Sequence, residues 1–326
     1  MNFDISLIGN AIVDIIGKTT DTRLIELGIE KGAMQLIDYE SSDNLLKSIA
    51  NPIIISGGSA ANTAVGFSSL GGKACFIGTT GSDDLGILFE QNINESGVFF
   101  QRKINNNTEK TSKSIVLVTP DAERSMSTFL GASGSFNIDS INEDLIINSK
   151  ILYIEGYLFD QPEAKKAINH CCKIAKENNI QISLSLSDLF CVERHRKDFL
   201  SLILEYIDIL FANESEIKSL YETNINSCIN LVKKDVHIGA ITTGSNGSIV
   251  FKNGIEYNIN AIKIDKVVDT TGAGDLYASG FLYGLTNTYS IENCGLLGSR
   301  SASEIIKYFG ARPKNSLKTL LNKKFI

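Results

Sequence analysis

Gly272-Ala273-Gly274-Asp275 places three residues with almost no side chain directly before a carboxylate. The string stands between the apolar pair Val267-Val268 and a stretch of small and apolar residues, Leu276 to Phe281, that reads as a helix. Backbone N–H groups at a helix N-terminus are unpaired and lie at the positive end of the helix dipole, so an anion fits there. A carboxylate at Asp275 can take the proton of an attacking hydroxyl while those N–H groups hold the charge developing on the transferred group. Base and anion hole side by side are the chemistry of phosphoryl transfer to an alcohol. Taken alone, the four residues are equally a tight turn with an aspartate cap.

Further strings follow apolar runs in the same way. Gly57-Gly58-Ser59-Ala60-Ala61-Asn62 follows Pro52 to Ile55 and enters a stretch of small residues; Gly57 and Gly58 let a ligand approach the backbone, and Asn62 can donate to and accept from a diol. Asp14 ends the first apolar stretch as a lone carboxylate. Asn213 and Glu216 follow Ile209 to Ala212, either as a helix cap with acidic residues in the first turn or as oxygen donors of the kind Mg²⁺ prefers. Thr242-Thr243-Gly244-Ser245-Asn246-Gly247 offers a hydroxyl and glycine-turn N–H groups to phosphates, or is a hairpin turn between Ile241 and Ile249.

Other classes are excluded by what the chain lacks. It has no GxxxxGK[ST] string and no GxGxxG after a strand, and His195-Arg196-Lys197 is not the catalytic triplet of protein kinases. Cys75, Cys171, Cys172, Cys191, Cys228 and Cys294 form no CxxC pair and no zinc spacing with His170, His195 or His237; they read as free thiols. The net charge of −6 argues against a nucleic-acid or anionic-membrane partner. Phe199 to Phe211 is the most apolar run, and Glu205 and Asp208 interrupt it well below a membrane span. Met1-Asn2-Phe3-Asp4 has no basic or apolar leader, so a cytoplasmic protein is expected.

The elements that must position these residues alternate. Ile5–Gly9, Ala74–Gly78, Ile151–Glu155, Ile182–Leu186, Ile209–Ala212 and Ile238–Thr242 read as buried strands, and Pro162–Asn178 as an amphipathic helix. This predicts an α/β fold: a doubly wound, mainly parallel sheet with helices on both faces. Asp14–Asp38 and Val98–Gly131 show β-type alternation instead, with a hairpin around Pro120-Asp121-Ala122-Glu123, and predict a small β-sheet lid. The expected division is a large domain of 1–13, 59–97 and 132–326 and a lid of 98–131 with part of 14–58.

Asp269-Thr270-Thr271-Gly272-Ala273-Gly274-Asp275 resembles the C-terminal signature of the PfkB (ribokinase-like) carbohydrate kinase family. Gly57-Gly58 through Asn62, Asn213 to Glu216, and Thr242 to Gly247 resemble its other motifs, in family order. The resemblance implies ATP and Mg²⁺, with Asp275 as base and Gly272, Ala273 and Gly274 stabilising the phosphoryl group. It further implies Asp14, Gly58 and Asn62 on the sugar, and Asn213, Thr242, Gly244, Gly247 and Ser299 around ATP. Glu216 would reach Mg²⁺ through water, and Asp269 would stand at a monovalent-cation (K⁺) loop near Gly310. Gly9-Asn10, Met34-Gln35-Leu36 and Gly310-Ala311-Arg312-Pro313 are most similar to the bacterial adenosine kinase-like members. They imply transfer to the 5′-hydroxyl of adenosine by a monomer or homodimer. Met34, Leu36, Phe129 and Leu130 would cover the purine, with Tyr157 and Phe159 beside it. The alternatives are another nucleoside, a free sugar such as ribose or fructose, or a non-catalytic binding protein.

Overall fold

Short apolar runs bounded by turn residues are too short for core helices and bury both faces as strands. In the computed structural model of the chain, which describes residues 2–103, 109–121 and 123–322, thirteen strands build two sheets. In chain order they are β1 (Phe3–Ile8), β2 (Ile12–Lys18), β3 (Met34–Leu36), β4 (Ile53–Ser56), β5 (Ala74–Ile77), β6 (Ser112–Val118), β7 (Arg124–Phe129), β8 (Ser149–Glu155), β9 (Gln181–Ser185), β10 (Ile209–Asn213), β11 (Ile238–Thr242), β12 (Ser248–Lys252) and β13 (Ile255–Ile259).

The large sheet runs β13-β12-β11-β10-β9-β8-β1-β5 and is parallel from β11 to β5. The six expected strands are its parallel part. The helices that bear on the site are α1 (Ser59–Leu70), α2 (Pro162–Glu177), α3 (Leu189–Tyr206), α4 (Glu214–Tyr221), α5 (Ala273–Thr286) and α6 (Ile291–Ile305). Alternation along β8 shows the double winding. Leu152 and Ile154 join one core with Ala167, Ile168 and Phe199, whereas Ile151 and Tyr153 join the opposite core with Ala61, Ala64 and Phe281. The six cysteines are free and buried. No helix among the described residues is long and apolar enough to cross a membrane.

The small sheet runs β3-β7-β6-β2-β4. Its β6–β7 hairpin is antiparallel, as expected, and Ala122 at the turn lies outside the described residues. Only Gly9, Asn10 and Ala11 separate β1 in the large sheet from β2 in the small one, so the two sheets diverge at that point. Val13, Ile15, Ile115 and Leu117 are buried with Leu24 and Leu45 on one face. Residues of the other parity, Asp14, Ser114, Met126 and Thr128, share the opposite face; Asp14 pairs with Ser114, and Met126 with Met34.

Two expectations need correction. Asp14–Asp38 is not only β structure: Asp21–Glu26 within it is a helix, started by Thr20 accepting from Arg23 N, and a second helix, Tyr39–Lys47, follows it, started by Asp38 accepting from Ser41 N. The other segment expected in the lid, Val98–Gly131, begins in the large sheet. Phe99 exchanges backbone bonds with Ala74 and Phe76 at 2.9 Å each, and Phe100 packs on Phe76 and Phe89. Aromatic packing holds this stretch on β5, and the small sheet resumes at Ser112; residues 104–108 of the expected lid lie outside the described residues.

Candidate active site

Helices α1 and α5 pack closely because small residues face each other. Ser279 Oγ donates to Thr63 O at 3.0 Å, and a Cβ on Gly66 would lie 2.3 Å from that same Oγ. This packing brings both helix N-termini to one place. Ser59 Oγ donates to Asp275 Oδ1 at 2.6 Å and Asn62 Nδ2 to Asp275 Oδ2 at 3.1 Å. Burial raises the Asp275 carboxyl to about 6, against the lowering effect of these two bonds.

Gly272 caps α5 in the left-handed region, φ 77°. A Cβ there would lie 2.7 Å from the Ala311 Cβ, so both conformation and contact demand glycine. The Ala273 N–H closes back on Thr270 O at 3.1 Å, and the first bond along the helix runs from Leu276 N to Gly272 O at 2.9 Å. The N–H groups of Gly274 and Asp275 are therefore the ones the first turn leaves for an anion, and Ala273 serves the turn instead. A Cβ on Gly274 would meet nothing within 4 Å, so the space before this helix end is open.

The other helix start is equally constrained. Gly58, φ 89°, caps α1, and a Cβ on it would lie 2.3 Å from Asn10 O. The Ala60 N–H donates to Glu155 Oε2 at 2.8 Å, and Asn10 Nδ2 donates to Glu155 Oε1 at 2.9 Å. Glu155 is buried at the end of β8, and its carboxyl is raised to about 7 by that burial. It ties the β1–β2 crossover to the start of α1, and so places Gly58 and Asn62.

A cleft of about 420 Å³ opens at the C-terminal ends of the parallel strands and beneath the small sheet. Of the residues singled out in the sequence, Asp14, Met34, Leu36, Gly58, Asn62, Leu130, Tyr157, Asn213, Glu216, Thr242 and Gly272 to Asp275 border it. Ile12, Met126, Ser59, Asn10 and Phe211 border it too and carried no sequence-based role. Asp14 stands on the small-sheet wall. Burial raises its carboxyl to about 6, Arg312 and Arg124 pull it back, and Asp275 pushes it further up.

Seven of the expected residues stand elsewhere. Phe129 points to the opposite face of β7 from Met126 and packs edge-on against Tyr39 at 5.4 Å. Phe159 is buried, stacked on Phe199 at 4.3 Å. Gly244 and Gly247 shape the β11–β12 hairpin instead of lining the cleft; a Cβ on Gly247 would lie 1.9 Å from Ile259 O. Ser299 is buried along α6. Asp269 is buried off the cleft: Oδ1 accepts from Thr271 N at 3.0 Å, and Oδ2 accepts from Gly310 N at 2.8 Å and from the Arg124 guanidinium. These bonds fasten the β7 strand and the Gly310 loop to the turn before α5. Gly57 lies just behind the cleft wall, where a Cβ would lie 2.3 Å from Asp14 Oδ2.

At the other end of the cleft Asn213 caps α4 in a reciprocal box with Glu216. Glu216 accepts from Asn213 N at 2.8 Å and from Nδ2 at 2.6 Å, and burial raises its carboxyl to about 7. The capping role is thus real, and Glu216 still borders the cleft.

Comparison with known proteins places this geometry. The family described as "pfkB family carbohydrate kinase" matches residues 29–318. A solved structure of an adenosine kinase from Sinorhizobium meliloti is 42% identical, covers 99% of this chain and 99% of that one, and superposes with a TM-score of 0.93. A probable sugar kinase protein from Rhizobium etli CFN 42 is 43% identical over 99% of this chain and 98% of that one, with a TM-score of 0.93. An adenosine kinase from Saccharomyces cerevisiae is 26% identical over 95% of this chain and 96% of that protein.

Proposed function

The chain belongs to the pfkB family of carbohydrate kinases, and within it we propose that it transfers the γ-phosphoryl group of ATP to the 5′-hydroxyl of adenosine. It is a phosphotransferase acting on a hydroxyl, with ATP and Mg²⁺ as the family's co-substrate and ion. The observation that carries the reading is the meeting of Ser59, Asn62 and Asp275 at two helix N-termini.

In the proposed reaction the 5′-hydroxyl lies against Asp275. As its oxygen attacks the γ-phosphorus, Asp275 takes the proton and the bond to the β-phosphate oxygen breaks, releasing ADP. The Gly274 and Asp275 N–H groups hold the charge on the transferring phosphoryl. Asn213 and Glu216 supply oxygen donors that would hold Mg²⁺ through its waters, and the ion would neutralise phosphate charge there. Asp14 and Asn62 take the ribose hydroxyls. We take the small sheet as the lid over this acceptor site.

The choice of a nucleoside over a free sugar rests on the small-sheet wall. Ile12, Met34, Leu36, Met126 and Leu130 line the cleft together with Asp14, and Leu36 is 52% exposed. A free sugar has no flat apolar group to cover these side chains, whereas a purine does. The free, buried cysteines support action in a reducing, cytoplasmic compartment.

Asp14→Ala is expected to weaken acceptor binding by about 1.5–3 kcal/mol, the range for hydrogen bonds to a charged group, and to spare ATP. Separate titrations of adenosine and of an ATP analogue decide this. A variant that loses affinity for the analogue and keeps it for adenosine would place Asp14 on the wrong substrate.

A further inference from the structure

Arg312 does not border the cleft, yet it touches Asn62, which does. Its loop is fixed at three successive positions: Gly310 N donates to Asp269, Ala311 lies under Gly272, and Arg312 reaches back to α1. Arg312 Nε donates to Asn62 Oδ1 at 3.3 Å, and Nη2 donates to Gly57 O at 3.4 Å. The guanidinium lies over the Phe89 ring, 5.9 Å from its centroid.

Two consequences follow from donor and acceptor chemistry. A guanidinium only donates and an ionised carboxylate only accepts. With Arg312 on one side and Asp275 on the other, the Asn62 amide has a single orientation: Oδ1 to Arg312 and Nδ2 to Asp275. Gly57 in turn lies between Arg312 and Asp14, with its missing Cβ position 2.3 Å from Asp14 Oδ2. A positive charge therefore stands directly behind the acceptor-site carboxylate.

We infer that Arg312 is a positioning residue for the acceptor: it sets the Asn62 amide and supplies the counter-charge that keeps Asp14 anionic toward sugar hydroxyls. The charged groups acting on Asp14 are Arg312, Arg124 from β7 and, with opposite effect, Asp275 from α5. Arg312 itself is pushed down to about 10 by burial, which leaves it charged throughout the working range. Asp14 is raised to about 6 with Arg312 present, so loss of the arginine moves its titration further up.

The inference rests on the acceptor site proposed above, and its test is a pH series of steady-state kinetics on wild type, Arg312→Gln and Arg312→Lys. In Arg312→Gln the KM for acceptor rises about 10–100-fold, the KM for ATP stays in place, and the acid limb of kcat/KM for acceptor moves up by about one unit. Arg312→Lys keeps the charge and loses the planar fork, so its acceptor KM rises while the limb stays. An unchanged acceptor KM and limb in the Gln variant would overturn the inference. So would an equal rise for ATP, or the same limb shift in both variants, which marks general loosening. If the Gln variant does not fold, the Lys variant decides: a raised acceptor KM with the limb in place supports the inference, and a wild-type KM overturns it. Wild type is measured on adenosine and on ribose first. Preference for ribose overturns the nucleoside reading alone, and the series is then run with ribose, whose hydroxyls Asp14 and Asn62 would meet in the same way.

Discussion

Asp275→Asn is expected to lower kcat by about 10²–10⁴-fold, the usual worth of a positioned base, while leaving the acceptor and ATP bound. The amide keeps the size of the carboxyl and can still meet Ser59 and Asn62, so the cleft retains its shape. It cannot take a proton. In the wild type, kcat should fall as pH drops through about 6, where the raised Asp275 carboxyl becomes protonated. In the variant that limb should be absent from the residual rate. The same shift has a signature in stability. A carboxyl whose folded value lies above its unfolded one contributes fully below the unfolded value, and that contribution is lost as pH rises through about 6. The Asn variant escapes this loss and should melt higher than wild type at pH 8, by calorimetry or thermal shift. Wild-type turnover in the variant would remove Asp275 from the reaction.

Gly272→Ala should damage turnover and stability together. Alanine in the left-handed region costs about 1–2 kcal/mol, before counting overlap with the Ala311 side chain. Relief of that overlap must move either the turn or the Gly310–Pro313 loop. Movement of the turn displaces the Gly274 and Asp275 N–H groups relative to Ser59 and Asn62, and movement of the loop draws Arg312 away from Asn62; a shift on the order of 1 Å at such a site costs about 10²-fold in rate. Gly274→Ala is the control. Its Cβ meets open space and adds no clash within the fold, so it should keep the melting temperature and still slow turnover by standing where the phosphoryl group passes. Melting temperatures and kcat for the two variants separate these effects. A Gly272→Ala protein with wild-type stability and rate would contradict the role given to this turn.

The large sheet was legible because strands buried on both faces read as unbroken apolar runs, as in Ile151–Glu155 and Ile209–Ala212. The small sheet was harder. β3 has three residues, and within residues 14–58 two short helices rest on caps, Thr20 and Asp38, that periodicity does not reveal. In β7 the strand was foreseen and its parity was not applied. Met126, Thr128 and Leu130 share the cleft face, which turns Phe129 away, and period-2 alternation would have exposed this. Asp275 and Asn62 were legible because each stands in a short glycine-rich string, whereas Asp14 is a lone carboxylate singled out through the family resemblance. Their supports were not, because each partner is distant in sequence: Glu155 meets Asn10 across 145 positions, Arg124 meets Asp269 across 145, and Arg312 meets Asn62 across 250. The partners of Asp269 were hidden for the same reason. Nothing near it in sequence announces the arginine that occupies its carboxylate.

The central claim is that the cleft phosphorylates a nucleoside, and ADP release with adenosine, ribose and fructose at matched concentrations tests it most directly. Burying a purine against the apolar side chains of the small-sheet wall should contribute about 3 kcal/mol or more that a bare sugar cannot gain. The account therefore predicts a kcat/KM for adenosine at least about 10²-fold above that for either sugar. Equal or greater activity on ribose or fructose would contradict the adenosine assignment, with the kinase chemistry of Asp275 left standing.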